Sequence, residues 1–233
     1  MKREKEWSGT EISIGNWQQL QVFLEQLQLK GYSQNTLKTY RNEFMRLLKK
    51  IGSYPVEKLT QEQLRRYFLY CHNEEKLQEN TIHSRINAVK FYFEQVLGRD
   101  TLFFNIPRPK KPLNLTRFFN QAEIITILKS AGNLKHRAML MLAYSAGLRV
   151  SEVIKLKTRN IDSQRMCILL EAAKGKKDRM VMLSPVLLIM LREYWKKYHP
   201  RKDGYLFEGQ TPGSPYSARS LQLVLQAAKK RQV

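Results

Sequence analysis

The sequence predicts a mainly α-helical protein with one small β-hairpin, built as two domains. Three observations carry that expectation. Apolar residues recur at three- and four-residue steps in four successive segments before residue 97, a proline-interrupted basic stretch follows, and two short β-prone runs then flank a lysine-dense turn. A chain of 233 residues is long enough for two compact domains.

In the first helix Trp17, Leu20, Phe23, Leu24 and Leu27 face inward, with Asn16 as the expected cap and Gly31 at the C-terminal stop. Ser33 opens a second helix that carries Leu37, Tyr40, Phe44, Leu47, Leu48 and Ile51, and Gly52 stops it. Thr60 caps a third, with Leu64, Tyr67, Phe68 and Cys71 inward. The fourth places Ile82, Ile86, Val89, Phe93 and Val96 on one side and ends before Gly98. Over residues 98–111, Pro107 and Pro109 alternate with Arg108, Lys110 and Lys111, and Pro112 follows. Proline removes a backbone donor and stiffens the chain, so this reads as a linker. The expected division is a helical domain over 1–106, a basic linker over 107–116 and an α+β part over 117–233.

In that second part Asn120 caps a helix with Ile124, Ile125 and Leu128, and another runs from about Leu134 to Gly147. The β-prone runs 166–171 and 179–183 flank Ala172-Ala173-Lys174-Gly175-Lys176-Lys177-Asp178, which predicts a hairpin with a basic tip. A helix with Val186, Leu187, Met190, Leu191 and Trp195 follows Pro185, and a final helix spans about 218–230 after a Gly/Pro/Ser-rich loop.

Charge narrows the function classes. There are 41 Lys+Arg against 20 Asp+Glu, a formal charge of +21. Residues 1–100 hold 16 basic and 12 acidic side chains and residues 101–233 hold 25 and 8, so the excess sits in the second part. The expected partner is a polyanion. Apolar runs reach 11 residues, short of the roughly 20 a spanning helix needs, and no signal-like stretch opens the chain, so a cytoplasmic, nucleoid-associated protein with no membrane partner is expected. Two cysteines and four scattered histidines have no metal-ligand spacing, and Leu170 stands where a phosphate loop would need glycine; neither metal nor cofactor is expected. Lys38, Arg41 and Lys49 share one arc of the second helix, and His83, Arg85, Asn87 and Lys90 decorate the fourth. Solvated charge on an ordinary amphipathic helix explains them as well as a DNA face does.

The stretch Ala143-Tyr144-Ser145-Ala146-Gly147-Leu148-Arg149-Val150-Ser151-Glu152-Val153 resembles the first arginine box of the tyrosine recombinases, the phage-integrase and Xer-type DNA breaking and rejoining family. The Lys174-Gly175 turn with Asp178-Arg179 beyond it is similar to that family's lysine hairpin. The string from Gly31 to Tyr40 resembles its SAM-like core-binding domain. The resemblance implies that Arg149 clamps non-bridging phosphate oxygens, Glu152 supports it, and Lys174 protonates the departing 5′ oxygen. It further implies duplex DNA contacts by Lys38, Arg41, Lys49, Arg85, Lys90, Arg108, Lys110, Lys111, Lys176, Lys177 and Arg179. Asn160 departs from the family, which often has an acid there.

A second departure is larger. No histidine has arginine three residues on, because positions 75, 86, 139 and 202 hold Glu, Ile, Met and Lys. Tyr144, Tyr194, Tyr198, Tyr205 and Tyr216 all precede the place of the family's His-x-x-Arg box and nucleophilic tyrosine. A truncated recombinase that binds DNA but lacks strand cleavage is therefore expected, alone, as a homo-oligomer or in a mixed complex with an intact recombinase. The alternative is a non-catalytic regulator or competitor of such an enzyme. A basic RNA-binding protein explains the charge and not the motifs, and no carboxylate cluster suggests a two-metal nuclease.

Overall fold

The computed structural model describes residues 11–99, 118–171 and 178–230. The chain divides into two compact units, Met1–Leu115 and Thr116–Val233.

In the first unit α1 (Ile14–Leu29) is capped by Ser13, whose hydroxyl accepts from the Asn16 N–H at 3.3 Å. Asn16 is therefore not the cap. It is buried, and its side chain staples the start of α1 to the turn after the next helix: Nδ2 donates to the Gly52 and Tyr54 carbonyls, both at 2.9 Å, and Oδ1 accepts from Val56 N at 3.0 Å. Both donors and one acceptor of the amide are thereby satisfied in the interior. The second helix, α2 (Gln34–Ile51), opens on Ser33 and closes on Gly52 with φ of 59°, as the sequence predicts. Thr60 and Gln63 form a reciprocal capping box on α3 (Gln61–Asn73).

The fourth helix departs from a regular 3.6-residue spiral. After α4 (Glu79–Phe91) the chain widens into a π turn over Tyr92–Val96. Phe91, Tyr92 and Phe93 at this junction are all buried, so the chain is packed on more than one side here. Phe23 stacks on Phe44 with centroids 4.5 Å apart, and Phe44 meets Tyr92 at 4.6 Å, so three helices close on one aromatic core. Trp17, expected inward, is half exposed.

The second unit opens with α5 (Gln121–Ser130), where Asn120 and Glu123 form the capping box. It continues through α6 (Leu134–Ser145), the short α7 (Val150–Lys155) and a 3₁₀ turn over Thr158–Asn160. Three antiparallel strands follow in the order β1 (Ile161–Asp162), β2 (Cys167–Leu170) and β3 (Arg179–Met182), with Ile168 opposite Val181 and Leu170 opposite Arg179. The hairpin is the predicted one; the two-residue β1 is too short to carry an alternating pattern of its own. Ile168 and Leu170 are buried while Met180 and Met182 stand in solvent, so one face of the ribbon packs and the other does not.

Ser184 caps α8 (Pro185–Tyr198), with proline in its first turn, and α9 (Ala218–Lys230) follows a loop. Gly209 in that loop admits no side chain, since a Cβ there would lie 2.9 Å from the Pro215 carbonyl oxygen. The core joins Ala138, Met139 and Leu142 of α6 to Val153, Ile168, Leu187, Leu206 and Phe207. Leu187 and Leu191 belong to it, whereas Val186 and Ile189 on the outer side of α8 are exposed. Among the described residues no helix is long and apolar enough to cross a membrane.

Candidate active site

The site is built on a reversal of the chain after α6. Gly147 follows the helix with φ of 62°, a left-handed conformation that costs a side-chain-bearing residue about 1–2 kcal/mol. A Cβ at Gly147 would meet nothing within 4 Å, so backbone conformation and not space selects glycine. The reversal drops Leu148 into the core and leaves Arg149 at the surface, immediately before α7.

Glu152 lies one turn into α7 and its side chain is only 9% exposed. Its Oε2 accepts from the Arg149 backbone N–H at 2.7 Å, closing the helix start from the acidic side, and its Oε1 accepts from Arg149 Nη1 at 2.9 Å. From the sheet, Arg179 Nη2 donates to the same Oε2 at 2.9 Å. Strand alternation explains the approach: Arg179 shares the face of Val181, opposite to that of the exposed Met180 and Met182. Burial pushes the Glu152 carboxyl upward, but the Arg149 backbone and side chain and the Arg179 guanidinium outweigh it and hold the group below the usual carboxylate range.

Two guanidiniums therefore share one carboxylate, and the cluster keeps a net positive charge. The surplus faces solvent, with the Arg149 side chain 55% exposed and Arg179 39% exposed. Arginine carries five N–H donors in a planar fork, so an Arg149 held by one Nη1 contact keeps donors for an incoming oxyanion. Both Glu152 oxygens are taken up by donors from these two arginines.

Nearby, Asn160 is buried; its Oδ1 accepts from Lys157 N at 3.1 Å and its Nδ2 donates to Glu171 Oε1 at 3.1 Å. A carboxylate at this position would face the Glu171 carboxylate, so the amide suits its neighbour here. Lys174, Lys176, Lys177, Arg108, Lys110 and Lys111 lie outside the described residues.

In the first unit Lys38, Arg41 and Lys49 are exposed on α2. Lys90 is partly buried and pairs with Glu94 at 3.4 Å. Arg85 must be corrected. Its side chain is 1% exposed, with Nε donating to Glu43 Oε2 and Nη1 to Glu75 Oε2, each at 2.8 Å, and Nη1 also 3.0 Å from the Cys71 sulfur. Its helical position falls between Ile82 and Ile86, on the inner face of α4, so it is a core ion pair and not a DNA contact. The signal in the sequence was that neighbourhood: a charge flanked by core positions is placed inward by the 3.6-residue period.

Tyrosine placement follows packing. Tyr194 is buried and donates to the Leu206 carbonyl at 3.0 Å, Tyr216 lies 3.1 Å from His136 Nε2, and Tyr144 is exposed at the end of α6. The His136–Tyr216 pair was not foreseen, since 80 positions separate its members. Among the described residues no group of three His, Cys, Asp or Glu side chains could hold a metal.

Sequence comparison places these elements in a family. Residues 115–233 match the sequence model of the phage integrase family, and residues 20–101 match that of the phage integrase N-terminal SAM-like domain. The chain is 41% identical to y4qK of Sinorhizobium fredii, whose name assigns it provisionally to the integrase/recombinase class, over 82% of this chain and 61% of y4qK. It is 31% identical to the tyrosine recombinase XerA of Pyrococcus horikoshii over 81% of this chain and 63% of XerA. It thus spans roughly three-fifths of these relatives. Its fold is similar to that of lambda integrase in a tetramer bound to a Holliday junction, with a TM-score of 0.72 at 16% identity, covering 95% of this chain and 64% of that one. A Tn1549 transposon integrase in complex with transposon right end DNA gives 0.72 at 17% identity, over 91% and 78%. Family models over both units, together with relatives at 41% and 31% identity over four-fifths of the sequence, establish that the chain belongs to the phage integrase family of tyrosine recombinases.

Proposed function

We propose that this chain binds duplex DNA as part of a site-specific recombination or integration system and contributes the Arg149 and Lys174 part of a strand-exchange site. The observation that carries the reading is the exposed Arg149 guanidinium anchored on a nearly buried Glu152. Phosphodiester exchange builds charge on the non-bridging oxygens, and a fixed, always-charged planar cation stabilises that charge without reorganising. Lys174 donates the proton that the 5′ oxygen takes up on leaving. In the family a tyrosine takes the 3′ phosphate; these 233 residues hold no His-x-x-Arg, so they bind DNA without forming the covalent adduct.

Lys38, Arg41, Lys49 and Lys90 approach the backbone from the helical unit, and Arg108, Lys110, Lys111, Lys176 and Lys177 extend the contact. The helical unit over 1–106 and the α+β unit over 117–233 grip the duplex as two domains, and the segment 107–116 joins them. Such a protein works at the nucleoid, and it assembles on DNA with further copies or with an intact recombinase. Dimeric and tetrameric DNA complexes of the similarly folded lambda integrase support that assembly. In the mixed complex the chain acts as a competitor, a second reading that inhibition of the intact enzyme tests.

Fluorescence anisotropy on duplex DNA tests the reading. Affinity falls steeply between low and physiological salt, and Arg149→Ala weakens binding by roughly 10- to 150-fold, as loss of a charge-assisted contact worth about 1.5–3 kcal/mol implies. Salt-insensitive affinity overturns it. On a nicked suicide duplex no phosphotyrosyl adduct forms, and an adduct from this chain alone overturns the non-cleaving assignment. Dose-dependent inhibition of an intact homologue on the same DNA separates the competitor from an inert binder.

A further inference from the structure

We infer that Arg179 is a positioning residue that fixes, through Glu152, the direction in which the Arg149 guanidinium faces; this rests on the reading of Arg149 as the phosphate ligand. The expectation from sequence made Arg179 an independent phosphate contact, and the geometry gives it another task. Its Nη2 donates to Glu152 Oε2 at 2.9 Å and its Nε is buried, so this edge of the guanidinium is turned inward to the carboxylate.

Glu152 stands between the two arginines and receives three donors on two oxygens. Oε2 takes the Arg149 backbone N–H and Arg179 Nη2, and Oε1 takes Arg149 Nη1. The backbone contact alone leaves the carboxylate free to rotate about its terminal torsion, because sp² groups have broad, two-fold torsional preferences. A donor from the sheet on the far side of Oε2 removes that freedom. With Oε2 pinned from two directions, Oε1 can point only one way, and the Arg149 fork is held by it.

Arg179 is suited to this because of where it sits. It is the first residue of β3, paired with Leu170, and strand alternation turns it to the packed face. The ribbon beneath it is anchored by the buried Ile168 and Leu170, so the brace comes from a rigid element and not from a loop. With one arginine the pair is neutral, and the second makes the cluster net positive around a single ionised carboxylate. Lysine at this place would supply the charge on a flexible stem without the planar fork, so it should serve in part.

The test uses the full chain with Arg179→Gln and Arg179→Lys. Relaxation of the Arg149 side-chain Nε–Hε signal in ¹⁵N-labelled protein reads the brace without DNA. The wild type shows a restricted side chain, R179Q a freely averaging one, and R179K an intermediate, while the thermal midpoint stays within a few degrees in all three. A double-mutant cycle on duplex affinity reads the consequence. R179Q weakens binding about tenfold in the wild-type background and less than twofold when Arg149→Gln is already present. Additive losses would show that Arg179 meets phosphate by itself, and an Arg149 signal unmoved by R179Q would show that nothing is held; either overturns the inference. If the wild type fails to bind duplex DNA, the proposed function falls, and the relaxation measurement still decides the brace. If R179Q fails to fold, the R179K relaxation and cycle carry the decision, and a wild-type-like result for both overturns it.

Discussion

Each unit of the chain ties one charged side chain between two of opposite sign, and the two networks are inverses of each other. In the helical unit a single guanidinium, Arg85, is shared by Glu43 and Glu75, leaving a net negative charge around a cation that is 1% exposed. In the second unit a single carboxylate, Glu152, is shared by Arg149 and Arg179, leaving a net positive charge with Arg149 55% exposed. The central ion is sequestered in both. What differs is where the surplus lies. The excess charge of the first network is carboxylate, which repels a polyanion; that of the second is guanidinium, which attracts one. The same chemistry therefore serves architecture in one place and ligand capture in the other.

The largest expected effect tests the architectural half. Arg85→Met strips the shared cation from Glu43 and Glu75, which are 14% and 33% exposed, and stranding one side of a largely buried network costs about 3 kcal/mol. Arg149→Met, removing an exposed partner, costs no more than about 1 kcal/mol. Urea denaturation of both variants gives the contrast directly. Equal losses would mean that the two networks do not differ as their exposure indicates.

A neutral control comes next. Asn16→Ala strips the partner from Val56 N–H and from the Gly52 and Tyr54 carbonyls, and unsatisfied buried groups cost about 1–3 kcal/mol. That loss should be independent of pH and salt, which separates stapling by an amide from stapling by charge. A salt-dependent loss would show that Asn16 is coupled to the ionic groups.

The pH dependence sharpens the second network. Glu152 has a folded pKa below its unfolded value of about 4.3, so its contribution is present above that value and is lost as pH falls through the folded one. Glu152→Gln removes the contribution at every pH. The wild type should melt above E152Q at pH 6, and the gap should close on acidification. A gap that stays constant down to pH 3 would show that the two arginines do not hold the carboxylate ionised.

Much of this was legible in the residue pattern, and the failures have physical causes. Ser33, Thr60 and Asn120 cap where a polar side chain precedes an apolar repeat, because each satisfies its own helix within three residues. Asn16 has the same local appearance, but Ser13 supplies the cap, and the Asn16 partners lie 36 to 40 positions away. Arg85 was misplaced because the charge count carries no direction, although its position between Ile82 and Ile86 marked it as inward. The π turn after Phe91 escaped since one extra residue in a turn leaves no trace in composition. Arg149 and Glu152 were legible as a pair because they are three apart on one helix start. Their link to Arg179, 27 positions from Glu152, depends on how the hairpin folds back.

The smallest effect on stability belongs to the exposed cations of α2, and it decides whether the helical unit also meets a polyanion. Lys38, Arg41 and Lys49 lie on solvent-facing positions, so changing all three to alanine should leave stability within about 0.5 kcal/mol of the wild type. Their effect should appear in binding. Each cation that neutralises a phosphate releases condensed counterions, so the slope of log affinity against log salt should flatten by roughly 0.9 per contact, or about 2.7 for three. Arg149→Ala should flatten it by about one such step and also lower affinity at fixed salt, because that arginine is held in place before DNA arrives. A slope unchanged in the triple variant but reduced in Arg149→Ala would confine phosphate contact to the second unit, making α2 an ordinary solvated face.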